Sequence, residues 1–150
     1  GCSAPNWPIP LENLAFGFAR IADPKDLPQA RADAIGWIKR AVFANPFMVA
    51  GTGRFCTEVM KILGDKVFIK TGAEGVFCAS LPEYGLGIAL KCDDGATRGS
   101  ETMMAALLRH VGVLEDAHLD AMAPWLNPQL KNRANKTVGD IRPASSWLSF

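Results

Sequence analysis

The chain has 150 residues and a formal net charge of +1, with 16 basic side chains against 15 acidic ones, so nothing in its charge points to a nucleic-acid or anionic-membrane partner. Apolar residues make up 49% and charged residues 21%, which excludes disorder and supplies material for a core. A mean hydropathy of +0.09 is high for a soluble domain and reads either as an unusually full core or, preferably, as a face made to pack against more protein.

The opening Gly1-Cys-Ser-Ala-Pro-Asn has no basic region, no apolar run and no initiator Met. It is not a signal peptide; a processed product, a trimmed expression product or a fragment is expected, and a cytoplasmic location. Residues 1–10 read as irregular, because Pro5, Pro8 and Pro10 remove backbone donors and fix φ. Leu11, Leu14, Ala15, Phe18 and Ala22 then recur at helical steps, and Asp23-Pro24 ends that helix. A second helix over 29–44 carries Ala30, Ala34, Trp37, Ile38, Ala41 and Val42 along one stripe and stops at Asn45-Pro46. The most apolar stretch, Trp37 to Ala50, is broken by Lys39, Arg40, Asn45 and Pro46. It is too interrupted for a membrane span, which needs about 18 apolar residues in a row.

Ala50-Gly-Thr-Gly53 is a turn, and Cys56 to Leu63 reads as a helix closed by Gly64. The period then changes. Val67–Ile69, Val76–Ala79 and Leu86–Leu90 are β-prone runs separated by Gly72–Gly75 and Pro82–Gly85, which predicts a three-stranded antiparallel meander. After an Asp93-Asp94-Gly95 turn, a helix is expected from Ser100 as N-cap to Gly112, with Met104, Leu107, Leu108 and Val111 toward the sheet. A weaker helix covers 115–122, and the tail from Pro124 is expected to be ordered only by docking. The order predicts an α+β fold, an antiparallel sheet with packed helices, with residues 1–150 forming a single domain or a domain fragment.

The sharpest chemical feature is Lys70-Thr71-Gly72 at the end of the first strand. Lys-Thr-Gly on a strand is one of the marks of class A β-lactamases and penicillin-binding proteins. There an ammonium on the strand edge steadies a hydroxyl network and favours developing negative charge, while the glycine lets substrate approach the backbone. A strand-terminal lysine beside a turn is also ordinary surface. Four cysteines, Cys2, Cys56, Cys78 and Cys92, lack C-x-x-C spacing and read as thiols or ligands rather than disulfides.

Longer strings are more specific. Ala50-Gly-Thr-Gly-Arg-Phe-Cys-Thr-Glu-Val-Met60, Lys70-Thr-Gly-Ala-Glu-Gly-Val-Phe77, Gly85-Leu-Gly-Ile-Ala-Leu-Lys-Cys-Asp-Asp-Gly95 and the opening Gly1-Cys-Ser-Ala-Pro5 resemble the bacterial L-asparaginases of the rhizobial (thermolabile, type II) family, in their C-terminal part. The resemblance covers nearly the whole chain and is weakest after about Leu114. It implies a β-lactamase/glutaminase-like fold and hydrolysis of L-asparagine to L-aspartate and ammonia by serine-hydrolase-like chemistry. In that family a Ser-x-x-Lys pair supplies nucleophile and base. No Ser or Thr of this sequence has a lysine three residues on, so the 150 residues alone are expected to be inactive.

By the same resemblance, Lys70, Thr71 and Lys131 are the candidate catalytic residues, and Arg54, Gly72 and Glu74 the candidates for binding an amino-acid substrate. Lys131 stands as readily for a solvated loop charge, and Arg54 and Glu74 for surface turn charge. The family's metal is held by two cysteines and a lysine three residues after the first. Cys2 and Cys56 match the thiolates, and Pro5 occupies the lysine position. Zinc is thus the one cofactor in view, none being required, and two buried free thiols are the plainer account. Cys78 and Cys92 read as core residues. His110 reads as a helix C-terminal residue, and neither it nor His118 has a Ser or Asp partner at recognisable spacing. The expected partners are L-asparagine as a small-molecule substrate and either a second copy of the chain or a missing N-terminal segment. Another amidohydrolase, acting on glutamine or a β-lactam-like amide, and a non-catalytic amino-acid-binding domain remain open alternatives. An N-terminal nucleophile at Cys2 is disfavoured by the prolines that follow it.

Overall fold

The structure, a computed structural model, describes residues 3–147. Its elements in chain order are α1 (Leu11–Ala22), α2 (Gln29–Ala44), the one-turn α3 (Phe47–Ala50), α4 (Phe55–Leu63), β1 (Phe68–Thr71), β2 (Val76–Leu81), β3 (Leu86–Lys91), α5 (Thr97–Val111), α6 (Leu119–Leu126), β4 (Gln129–Lys131) and β5 (Thr137–Asp140). The protein is therefore α+β, with the expected antiparallel meander β1-β2-β3 and a separate two-stranded sheet β4-β5. Among the described residues no helix is long and apolar enough to cross a membrane.

The register fixes the two faces of the meander. Ile69 pairs with Ala79 and Ala79 with Ile88, while Phe68 pairs with Ser80 and Ser80 with Gly87. Side chains alternate along a strand, so Ile69, Phe77, Ala79, Ile88 and Leu90 share one face. They join Phe55, Val59, Met60 and Leu63 of α4 and Met104, Ala105 and Leu108 of α5 in one buried core. Phe55 meets Phe77 and Trp125 edge-on, at centroid distances of 5.5 and 5.6 Å, so a single aromatic ties α4 to the sheet and to α6.

Helix α1 covers the other face, where Phe18 stacks on Phe68 at 6.1 Å. Its backbone comes close enough that a Cβ on Gly87 would lie 2.0 Å from the Ala15 carbonyl oxygen and 2.2 Å from the Ala19 nitrogen. No side chain fits there. The Ser80 hydroxyl, on the residue paired across to Gly87, is buried and has no hydrogen-bond partner among the described residues.

Three expectations are corrected. Helix α5 begins at Thr97, not at Ser100: the Asp94 Oδ1 accepts the Ala96 N–H at 2.8 Å and turns the chain early, and Ser100 Oγ donates to the Thr97 carbonyl at 3.0 Å from inside the first turn. The tail forms a hairpin, because Asn132 Oδ1 accepts the N–H groups of Ala134 and Lys136, both at 3.0 Å, and Asn135 takes the left-handed conformation. The stripe on α2 is real as a pattern but buries nothing: no residue of α2 is in the core.

Candidate functional site

Four pieces of chain arrive at one end of the meander. Strand β1 ends there with Lys70 and Thr71, and Gly72 opens the turn into β2, its N–H donating to the Val76 carbonyl at 2.7 Å. Strand β3 returns beside it, since Lys91 pairs with Val76. The following loop is stitched to that turn: Cys92 N–H donates to the Gly75 carbonyl at 2.9 Å, and a Cβ on Gly75 would come within 3.0 Å or so of both Cys92 and Gly95. Helix α5 starts directly after this loop. Helix α4 supplies the fourth piece, because its first turn places Cys56 against β1.

The start of α4 is set by the turn Gly51–Gly53, in which both glycines hold positive φ, 91° and 65°. The buried Thr57 hydroxyl donates back to the Gly51 carbonyl at 2.7 Å and locks the turn onto the helix. Arg54 is thereby held at the helix entrance in an extended conformation, its side chain exposed. Cys56, two residues on, is 1% exposed. Burial pushes its thiol up. The Thr71 backbone N–H and the charges of Lys70 and Arg54 pull it the other way, and the carboxylate of Glu101 pushes with burial. Thr71 meets the sulfur through its backbone N–H, while Lys70, Arg54 and Glu101 act on it through their charge alone.

Lys70 and Thr71 lie at the edge of the sheet, since β1 pairs with β2 alone. Lys70 is exposed and its Nζ donates to the Thr71 carbonyl at 2.8 Å; the Thr71 hydroxyl donates weakly to the Gly72 carbonyl at 3.3 Å. The structure gives Gly72 a steric reason of its own: a Cβ would crowd Val76 at 3.1 Å. Glu74 is exposed, takes φ 59°, and turns its carboxylate toward Gly95 in the β3–α5 loop. Lys131 is on the separate β4–β5 hairpin, exposed, and among the described residues no hydrogen bond or ion pair ties it to the Lys70 edge.

Glu101, on the second turn of α5, is a half-buried carboxylate that feels the Arg54 charge. Burial pushes its pKa up and the Arg54 charge holds it down. Ser100 and Thr102 on either side of it are buried.

The metal expectation falls partly outside the described residues, because Cys2 is not among them. Among the described residues no three of His, Cys, Asp and Glu gather, Pro5 has no donor side chain, and burial pushes the Cys56 thiol up, against the thiolate that a metal ligand needs. Cys78 is also buried, its thiol pushed up to about 11 by desolvation. Cys92 is half-buried and donates its S–H to Asp94 Oδ1 at 3.0 Å. Both histidines have local roles: His118 Nδ1 accepts the Glu115 N–H at 3.0 Å, and His110 packs on Trp147 at 5.3 Å.

Among curated proteins no match was found. A family model described as L-asparaginase II matches residues 1–143.

Proposed function

The chain belongs to the L-asparaginase II family, and from that premise we propose that it serves the hydrolysis of L-asparagine to L-aspartate and ammonia in the cytoplasm, with its nucleophile outside these 150 residues. The observation that carries the reading is the Lys70-Thr71-Gly72 edge, where β1 has no strand partner on its outer side among the described residues. An attacking serine needs a base and a place for negative charge to grow. Lys70 meets the second requirement in this reading: its ammonium, on a strand whose backbone the β1–β2 ladder holds, swings to the developing oxyanion and balances its charge. Arg54 offers a planar fork for the substrate carboxylate.

The test is ammonia release by the complete enzyme on asparagine, glutamine and a β-lactam side by side. Lys70→Ala is expected to lower kcat on asparagine by about 10²-fold with little change in Tm. Lys131→Ala should do the same if that lysine reaches the site from its hairpin. Turnover within about twofold of wild type would return either lysine to the surface, and preference for another amide would replace asparagine as substrate.

A further inference from the structure

The tail that follows β5 runs back across α5. Its start is pinned where the Ile141 N–H donates to the Pro128 carbonyl at 3.1 Å, and its end where Trp147 packs on His110 at 5.3 Å. Between those points the tail does not fill the space beneath it. A cavity of about 440 Å³ lies there, walled on one side by Gly99, Thr102, Met103, Ala106 and Leu107 of α5 and on the other by Ile141, Pro143 and Trp147. The α5 residues recur at three- and four-residue steps, so they form one stripe of the helix. It lies beside the stripe of Met104, Ala105 and Leu108, which faces the core. Small side chains leave the gap, and a Cβ on Gly99 would crowd Cys92 Sγ at 2.7 Å. Two departures from ordinary packing meet here. Interiors hold few voids larger than a water molecule, and buried hydroxyls are nearly always paired. This void falls in the range of small-molecule pockets, roughly 300–1,000 Å³. Thr102, in its wall, has a buried hydroxyl with no hydrogen-bond partner among the described residues.

We propose that this cavity binds a small molecule with an apolar body and a carboxylate head, a fatty acid of medium chain length, its chain between α5 and the tail and its head on Arg142. Arg142 is the one charged side chain among the described residues that line the cavity, and the rest of the lining is almost wholly apolar. Met103 and Arg142 are exposed, so the mouth is on their side. Arg142 Nη1 donates to both carboxylate oxygens of Asp140, at 2.7 and 2.6 Å, while Nε and Nη2 make no hydrogen bond among the described residues. A second carboxylate therefore finds donors at the mouth, with Asp140 offsetting part of the attraction. The walls also say what does not fit. A protein segment would carry backbone N–H and C=O groups into a space with almost nothing to pair them, whereas an alkyl chain carries none. Such binding needs no amide hydrolysis and stands apart from the asparagine reaction.

The experiment titrates butyrate, hexanoate, octanoate and octanol into the complete enzyme by calorimetry, for wild type, Met103→Trp and Arg142→Gln. Wild type is expected to bind octanoate, with affinity rising about tenfold for each two methylenes along the carboxylate series. Met103→Trp puts an indole into the cavity and should weaken octanoate and octanol alike by at least about tenfold. Ala144→Trp, from the opposite wall, is the variant to read if Met103→Trp does not fold. Arg142→Gln should weaken octanoate about tenfold and leave octanol within about twofold. No binding of octanoate to wild type, as when other protein closes the cavity, overturns the proposal. So does binding that the indole variant leaves unchanged, which puts the chain on another apolar surface. An Arg142→Gln loss that is equal on octanoate and octanol, or absent from both, overturns it as well, because the carboxylate is then not what the mouth recognises.

Discussion

Helices α4 and α2 look alike in the sequence and do opposite things in the structure. Both carry apolar residues at helical steps. Of the nine residues of α4, six are buried, and of the sixteen of α2, none is. Trp37 on α2 is 70% exposed, and Ile38, Phe47 and Met48 beside it are also open to solvent. The difference is in what the chain places opposite each stripe. Helix α4 runs directly into β1 through Gly64, so its apolar side folds back onto the strand it precedes. Helix α2 is bracketed by Asp23-Pro24 and Asn45-Pro46, and it meets the sheet at its β1 edge without burying any of its own residues. A periodic pattern shows that a helix has an apolar side; it does not say that this chain supplies the cover.

The largest effect should separate these two helices. Met60→Ala on α4 removes a side chain that is 2% exposed and is expected to cost about 2–5 kcal/mol in denaturant unfolding. A loss under 1 kcal/mol would mean that α4 is less firmly packed than its burial indicates. Next comes reactivity within the sheet. With its thiol pushed up to about 11, Cys78 is nearly all protonated at pH 8, and alkylation followed by mass spectrometry should find it labelled about 100-fold more slowly than a free cysteine. Because the shift is upward, labelling should stay low from pH 7 to 9 and rise only as pH approaches 11. Rapid labelling at pH 8 would show that α1 opens readily from its face of the sheet.

The exposed side should behave in the contrary way. The isolated chain is expected to sediment as a dimer or larger assembly and to bind a hydrophobic dye, with both signals reduced by Trp37→Ser. A monodisperse, dye-negative wild type would show that the α2 side needs no cover. The smallest effect is on folding itself: Trp37→Ser should change stability by no more than about 0.5 kcal/mol, as at other surface sites.

Much of the fold was legible, and the reasons are local. Gln29–Ala44 and the meander follow from prolines, glycines and a change of period that act within a few residues of one another. The start of α5 differs from the expectation because Ser100 is a good cap by type, while Asp94, further upstream, turns the chain into the helix through the Ala96 N–H. The hairpin was missed because its signal is two asparagines, Asn132 and Asn135, without alternating apolar strands around them. At the site, Lys70-Thr71-Gly72 was legible as a motif on a strand edge. The separate β4–β5 hairpin that carries Lys131 was not, since asparagine turns set it rather than an apolar period.

The bare backbone contact at Gly87 also says something about the order in which the molecule assembles. Strands β2 and β3 are joined by the short Pro82–Tyr84 turn and Gly85, so they close a small loop. Helix α1 reaches Gly87 from about 70 positions earlier in the chain, a closure with a larger entropy cost that local pairing does not share. Until α1 lands, Gly87 is a notch in an otherwise complete strand surface, and only a backbone passing at van der Waals distance fills it. On loop-closure entropy alone the meander is expected to form first and α1 to dock on it afterwards, as a longer-range step.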